Sequence, residues 1–191
     1  MKRTIIHISG ASGAGKTTLG KKLSDKYGSK ITVKDIDDLR QEFIKHHYGK
    51  KNFIIIDKEA YQKYIDKYIT SVKTILIFVG LNNMPWWHKN HYYDMHAEHK
   101  FYINLDNKVV LKQVCQRFFN NIANDTQAMD DLVNNNSKFI RLVSEVINND
   151  CNATKNAKIN NKWKTDYVRL GYQLLSREDI FKKVCKIIDK N

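Results

Sequence analysis

Gly10-Ala-Ser-Gly-Ala-Gly15-Lys16-Thr17-Thr18 is the stretch of this 191-residue chain whose residue types and spacing are suited to chemistry. Glycines at 10, 13 and 15 let a backbone turn successive N–H groups inward, and a concave run of amides accepts anionic oxygens. A helix starting at Lys16 would aim the positive end of its dipole at the same point. Lys16 then supplies a mobile point charge, Thr17 a hydroxyl suited to a hard cation such as Mg²⁺, and Thr18 a second hydroxyl one residue on. The pattern GxxxxGK[ST] between an apolar strand and a helix reads as a polyphosphate loop. Gly10, Ala11, Ser12, Gly13, Ala14, Gly15, Lys16, Thr17 and Thr18 are the residues expected to hold ATP. A glycine-rich turn without a ligand would not need that strand-before, helix-after setting.

A second polar stretch, Val33-Lys-Asp35-Ile-Asp37-Asp38-Leu-Arg40-Gln41, follows the next apolar run. Carboxylates there would sit at the carboxyl end of a strand, beside the loop. An acceptor hydroxyl attacking a γ-phosphorus must lose its proton, and a carboxylate within hydrogen-bond reach can orient and receive it. A carboxylate of this cluster is therefore suited to face an acceptor. If the acceptor is itself a phosphate no base is needed, and the aspartates would hold the metal through water. The plainer reading makes the cluster a solvated turn, with Asp37 or Asp38 capping a helix and Asp38 doing nothing more.

These two stretches together resemble the P-loop kinase group that holds nucleoside monophosphate kinases, shikimate and gluconate kinases, and polynucleotide 5′-kinases. In shikimate-type kinases a DxD after the second strand handles metal and acceptor, which the resemblance places on Asp35 and Asp37. In polynucleotide 5′-kinases a D-D-x-R-Q stretch carries the base and a phosphate-binding arginine, which the resemblance places on Asp37 and Arg40, with Asp38 and Gln41 matching too. The resemblance thus implies that Asp37 faces the acceptor, Asp35 shares Mg²⁺ with Thr17, and Arg40 grips an anionic part of the acceptor. The resemblance extends to Gly171-Tyr-Gln-Leu-Leu-Ser176 before a closing helix. Monophosphate kinases also clamp the moving phosphoryl group with several lid arginines; this chain offers Arg117 and Arg141, each equally readable as a surface ion pair. Other users of such a loop fit less well. Asn107-Lys108 and Asn161-Lys162 lack the aspartate of a guanine-specifying Asn-Lys-x-Asp. Ile77-Phe-Val-Gly80 lacks the Asp-Glu pair of ATP-driven machines.

Positioning these groups requires alternating strands and helices. Thr4 to Ser9 reads as a buried strand, 16–27 as a helix with Leu19, Leu23 and Tyr27 on one face, and 30–34 as a second strand. A helix through Leu39 and Phe43 comes next, then one bearing Tyr61, Ile65, Tyr68 and Val72, and a strand over 73–79. Strands at 100–105 and 167–174 bracket helices at 107–122, which Asp106 is placed to cap, and 138–147; 177–190 closes the chain as a helix. Asparagine clusters at 134–136, 148–149 and 160–161 are expected in turns or caps. The expected fold is α/β: a doubly wound, parallel, five-stranded sheet with helices on both faces, one domain over 1–191. A lid-like helical insertion, or an inert one, falls at 122–164.

Bulk properties bound the partners. The formal charge of +13 would attract phosphorylated ligands or nucleic acid, but the lysines are spread along the chain, so a solvated basic surface accounts for it. Trp86, Trp87, Tyr92 and Tyr93 follow the third strand, where a kinase receives its acceptor. Trp86 is the residue expected to stack on a nucleobase, although aromatics closing the core explain the cluster as readily. The nearby His88, His91, His96 and His99 lack the cysteines or HExxH of a zinc site. Three unpaired cysteines suit a reducing, cytoplasmic compartment, and the run from Ile75 to Leu81 is too short to cross a bilayer. The resulting expectation is an ATP- and Mg²⁺-dependent kinase acting on a small nucleoside- or nucleotide-type acceptor. A polynucleotide 5′-hydroxyl kinase and a non-catalytic nucleotide-binding regulator remain open beside it.

Overall fold

The structure is a computed structural model that describes residues 3–49, 56–84, 88–149 and 151–191. It divides into two compact units: Met1–Gly10, Gly15–Ile103 and Gly171–Asn191 form the first, Ala11–Ala14 and Asn104–Leu170 the second. The first unit is built on strands β1 (Ile5–Gly10), β2 (Ile31–Asp35), β3 (Ile75–Val79), β6 (His99–Ile103) and β7 (Gln173–Leu175). Their spatial order is β2-β3-β1-β6-β7 and every pairing is parallel. A short antiparallel hairpin, β4 (Asn83–Met84) with β5 (His88–Tyr92), follows β3.

β1 is buried along its whole length, as its isoleucines require of a strand covered on both faces. On one face, Ile5, Leu76 and Phe78 pack with Leu39 and Phe43 of α2 (Ile36–Tyr48) and with Tyr61 and Ile65 of α3 (Lys58–Ser71). On the other, α1 (Lys16–Tyr27) approaches Val33 and Val79 through Gly20. α8 (Arg177–Ile188) lies beside α1, with Lys22 and Lys26 over the Phe181 ring. The doubly wound five-stranded sheet is thus the architecture expected from strand-helix alternation. β1 leads toward β2 on one side and β6 toward β7 on the other, so the winding reverses at the carboxyl ends of β1 and β6, where ligands bind in open α/β sheets.

The second unit is helical among its described residues: α4 (Asn107–Ala123), α5 (Thr126–Asn134), α6 (Asn136–Asn149) and α7 (Ala153–Arg169). Val110 and Val114 pack with Ala11, Leu105, Phe118 and Trp163. Asp106, Asp125 and Asn152 cap α4, α5 and α7 through their side chains, so the capping role expected of Asp106 is met. No described helix is long and apolar enough to cross a membrane.

Two local expectations need correction. The strand expected over 167–174 is β7 at Gln173–Leu175 only, because α7 continues to Arg169 with Tyr167 fully buried. Asn160 and Asn161 form no turn: both lie inside α7, where Asn160 donates to Asn107 Oδ1 and Asn107 donates to Asn161 Oδ1. Their amides are satisfied by α4 instead of by their own backbone, which removes the usual penalty for asparagine in a helix.

One buried polar contact underlies the sheet. His7 in β1 is fully buried, its Nε2 3.0 Å from the Gly80 carbonyl and its Nδ1 2.6 Å from the Tyr172 hydroxyl. A carbonyl only accepts, so Nε2 carries the proton and Nδ1 accepts from Tyr172. Burial, with Lys100 and Lys16 adding repulsion, lowers the His7 pKa from 6.5 to about 4. The unfolded chain therefore binds a proton that the folded one refuses. Stability is at its full value above pH 6.5 and is lost as pH falls toward 4, by roughly 3 kcal/mol from this residue. Urea unfolding at pH 7, 5.5 and 4.5 should show that decline. His7→Gln, which keeps a donor for Gly80 but cannot titrate, should flatten it; an equally steep decline in the variant would exclude His7 as its source.

Candidate functional site

The loop after β1 takes the shape its glycines permit. Gly13 and Gly15 sit at φ 75° and φ 80°, in the left-handed region that a side chain disfavours. The Ala14 amide donates to the Ala11 carbonyl at 3.1 Å, closing a tight turn. α1 then begins at Lys16 with Gly15 as its N-cap, and no side chain caps it. By contrast α2, α3, α4, α5, α7 and α8 each have a side-chain cap. The first amides of α1 are thus left to face whatever anion lies before them. Lys16 Nζ donates to the Gly10 carbonyl at 2.9 Å, which lays its ammonium along the loop. Thr17 and Thr18 are exposed.

Within the first unit the acidic turn meets α1. Thr17 Oγ1 donates to Asp35 Oδ2 at 2.9 Å, and the Asp37 amide donates to Asp35 Oδ1 at 2.9 Å. The cap of α2 is therefore Asp35, not Asp37 or Asp38 as the sequence reading had it. The reason is that no turn separates the two elements: β2 ends at Asp35 and α2 begins at Ile36, so the last strand residue is the cap. Because the Thr17 proton points at Asp35, the lone pairs of the hydroxyl are turned elsewhere, the orientation a cation ligand needs. Asp37 is left exposed, 67% for its side chain, and accepts from Arg40 one helical turn on.

The remaining expected residues are placed as follows. In the second unit Arg117 Nη1 donates to Ser12 Oγ at 3.2 Å. Arg141 is in solvent, paired with Glu145 on its own helix at 3.1 Å. Trp86 lies outside the described residues. Among the described residues no three histidines, cysteines, aspartates or glutamates are gathered to hold a metal. A cation at Thr17 and Asp35 would thus depend on phosphate oxygens for much of its shell, as Mg²⁺ in nucleotide sites commonly does. One residue was missed. Arg177, read only as the start of the closing helix, has its Nη1 2.8 Å from where a Cβ on Gly15 would stand. No local pattern marks it, since only the fold brings α8 to the head of α1.

Neither a protein family nor a curated protein matches this sequence. Among solved structures, a shikimate kinase from Bacteroides thetaiotaomicron is similar at 20% identity, with a TM-score of 0.38 over 58% of this chain and 62% of that one. The chain thus spans less than two thirds of that enzyme's length, and the likeness assigns no residue a role.

Gly15→Ala tests whether the loop shape matters. At φ 80° an alanine is strained by on the order of 1 kcal/mol, and its methyl would meet the Arg177 guanidinium. Urea unfolding should show that modest loss, while calorimetric titration shows Mg·ATP affinity falling more than tenfold. Unchanged affinity would mean that the loop does not cradle phosphates in this form.

Proposed function

We propose that the protein binds Mg·ATP on Gly10 to Thr18 and transfers the γ-phosphoryl group to a small acceptor of nucleoside or nucleotide type. The observation that carries this reading is the Thr17–Asp35 hydrogen bond. It joins the head of an uncapped helix behind a glycine loop to the carboxylate that ends β2, and so sets a cation ligand beside an acidic turn. The donor set fits Mg²⁺: a hydroxyl from Thr17 and, directly or through water, the carboxylate of Asp35. When bound, the ion supplies positive charge opposite the phosphate oxygens.

The chain's own groups divide the remaining work. The amides from Gly13 to Thr18 hold phosphate oxygens with fixed dipoles that need no rearrangement during transfer. Lys16 moves from the Gly10 carbonyl to the terminal phosphates, following charge as it shifts toward the leaving oxygen. Within the second unit Arg117 adds positive charge beside Ser12, and within the first Arg177 adds it beside Gly15. Asp37, exposed on the first turn of α2, orients an acceptor hydroxyl and takes its proton as the oxygen attacks phosphorus. Arg40 holds the Asp37 carboxylate in place and offers its remaining N–H groups to an anion on the acceptor.

The test is transfer of label from γ-labelled ATP to nucleosides, nucleoside monophosphates, shikimate and 5′-hydroxyl oligonucleotides. Label in a nucleoside or monophosphate is the expected result, label in the oligonucleotide alone would move the assignment to nucleic-acid ends, and ATP binding with no transfer would favour a regulatory protein. Lys16→Ala should lose at least a hundredfold in kcat with an unchanged unfolding midpoint. Asp37→Asn should lower kcat by tenfold or more while the Kd for ATP moves less than twofold; equal losses in both would leave Asp37 a structural role only.

A further inference from the structure

Folding gathers part of the basic charge that the sequence spreads along the chain. α2 ends at Tyr48 and α3 is capped by Asp57, whose amide donates to the Tyr48 hydroxyl at 2.8 Å; between the two helices runs an open groove of about 230 Å³. Its walls include Phe43, His46 and His47 of α2 and Lys63, Tyr64 and Lys67 of α3. None of these residues belongs to the phosphate loop or the acidic turn, and Phe43 lies two turns of α2 beyond Asp35, roughly 12 Å along the axis. The floor is aromatic. Phe43 is 2% exposed, the His47 ring stacks on it at 5.0 Å and 17°, and the Tyr64 ring leans on it at 5.4 Å and 57°. The rim is cationic: Lys63 and Lys67 stand one turn apart on α3, both exposed, and neither has a carboxylate within ion-pair distance among the described residues. The carboxylates nearest along the two helices are engaged elsewhere, Glu42 with Lys34 at 2.6 Å, Asp66 with His96 at 2.9 Å and Asp57 with the Ala60 amide at 2.7 Å, and Glu59 is not part of the wall. Basic residues in the last turn of a helix complement its dipole, which accounts for His46 and His47. It does not account for Lys63 and Lys67, which lie in the body of α3.

We infer that this groove binds single-stranded nucleic acid, with bases stacked against His47 and Tyr64 and phosphates held by Lys63 and Lys67. The inference draws on none of the residues of the proposed phosphotransfer and stands apart from it. Charge of one sign along the rim requires an anion, and rings held on a rigid floor require a planar group beside it. An acidic peptide would satisfy the lysines and leave the rings without a planar partner. A free mononucleotide in an open groove would keep much of its surface in water, whereas small-ligand sites bury most of theirs. A strand gains instead from repetition, because each further phosphate can meet further lysines, and Lys45 and Lys58 extend the exposed charge on the same two helices. A duplex keeps its bases stacked on one another, so the unpaired strand is the form whose π-faces these rings can reach. Such contacts read little sequence, since every base has a π-face and lysine meets only phosphate.

Lys63→Gln combined with Lys67→Gln removes the two rim charges, and Lys155→Gln combined with Lys158→Gln, on α7, removes the same charge from another exposed helix. Fluorescence anisotropy with a labelled, mixed-sequence, single-stranded oligonucleotude of DNA should show about tenfold weaker binding to the groove pair and less than a twofold change in the α7 pair. The slope of log affinity against log salt should become shallower by about 1.4 in the groove pair alone, as two lost phosphate contacts predict. An abasic strand and a polyglutamate of equal charge should each bind the unaltered protein at least fivefold more weakly than the intact strand. Tyr64→Leu, which removes a ring and keeps the charge, should weaken the intact strand about threefold or more and leave the abasic strand unchanged. The urea midpoint and the Mg·ATP affinity of the groove pair should match those of the unaltered protein. No saturable binding of the oligonucleotide, equal weakening by the two lysine pairs, or an abasic strand or polyglutamate bound as tightly as the intact strand would overturn the site.

Discussion

The two oxygens of the Asp35 carboxylate serve the heads of two helices. One takes the Asp37 amide and so starts α2; the other takes the Thr17 hydroxyl in the first turn of α1. β2 and β1 are not neighbours, since β3 runs between them, so this carboxylate spans the end of the intervening strand. The crossing is possible because β3 is followed directly by Gly80, at φ 137°, with the Ile36 Cβ only 2.9 Å from where a side chain would begin. A larger residue there would push α2 outward and separate Asp35 from Thr17. The acidic turn stands at a set distance from the helix head only while these three strand ends stay in register.

Beneath that surface the same glycine is held a second time. The Gly80 carbonyl accepts from the His7 imidazole, whose other nitrogen accepts a hydrogen bond from the Tyr172 hydroxyl, while the Gly80 amide donates to the Ile8 carbonyl. A neutral histidine, kept so by burial, thus ties β1, the end of β3 and the approach to β7 into one polar thread through an apolar sheet. Fully satisfied buried polar groups of this kind rigidify their surroundings. The groups on top, Thr17, Thr18 and Asp37, are exposed by comparison. Exposed polar side chains thus stand on a stiff base, and dipoles held in place need no reorientation to meet a ligand.

The second unit is organised differently. Its packed centre is small, with Val110 and Val114 at its heart, while Val133, Ile140 and Ile147 remain exposed on α5 and α6. Polar side chains also act at helix ends and between helices, through Asp106, Asp125, Asn152 and the Asn107–Asn160 pair. Such capping contributes on the order of 1 kcal/mol per helix, little beside the burial of a sheet strand.

The sequence by itself determined whatever depends on neighbours along the chain. Glycine spacing alone admits the left-handed turns at Gly13 and Gly15, and apolar periodicity of two and of 3.6 residues locates the strands and most helices. That is why the glycine turns, the alternating architecture and the order of the acidic turn were legible before any fold was known. Tertiary structure decided the rest, because it sets which groups come together in space and which are left without a partner. It made Asp35 the cap of α2, kept Asn160 inside a helix, brought Arg177 over Gly15, and set Lys63 and Lys67 beside an aromatic floor with no carboxylate in reach among the described residues. Hydrogen-bond satisfaction is a property of three-dimensional neighbourhoods, and no spacing rule along a chain encodes which donors and acceptors will be left to a ligand.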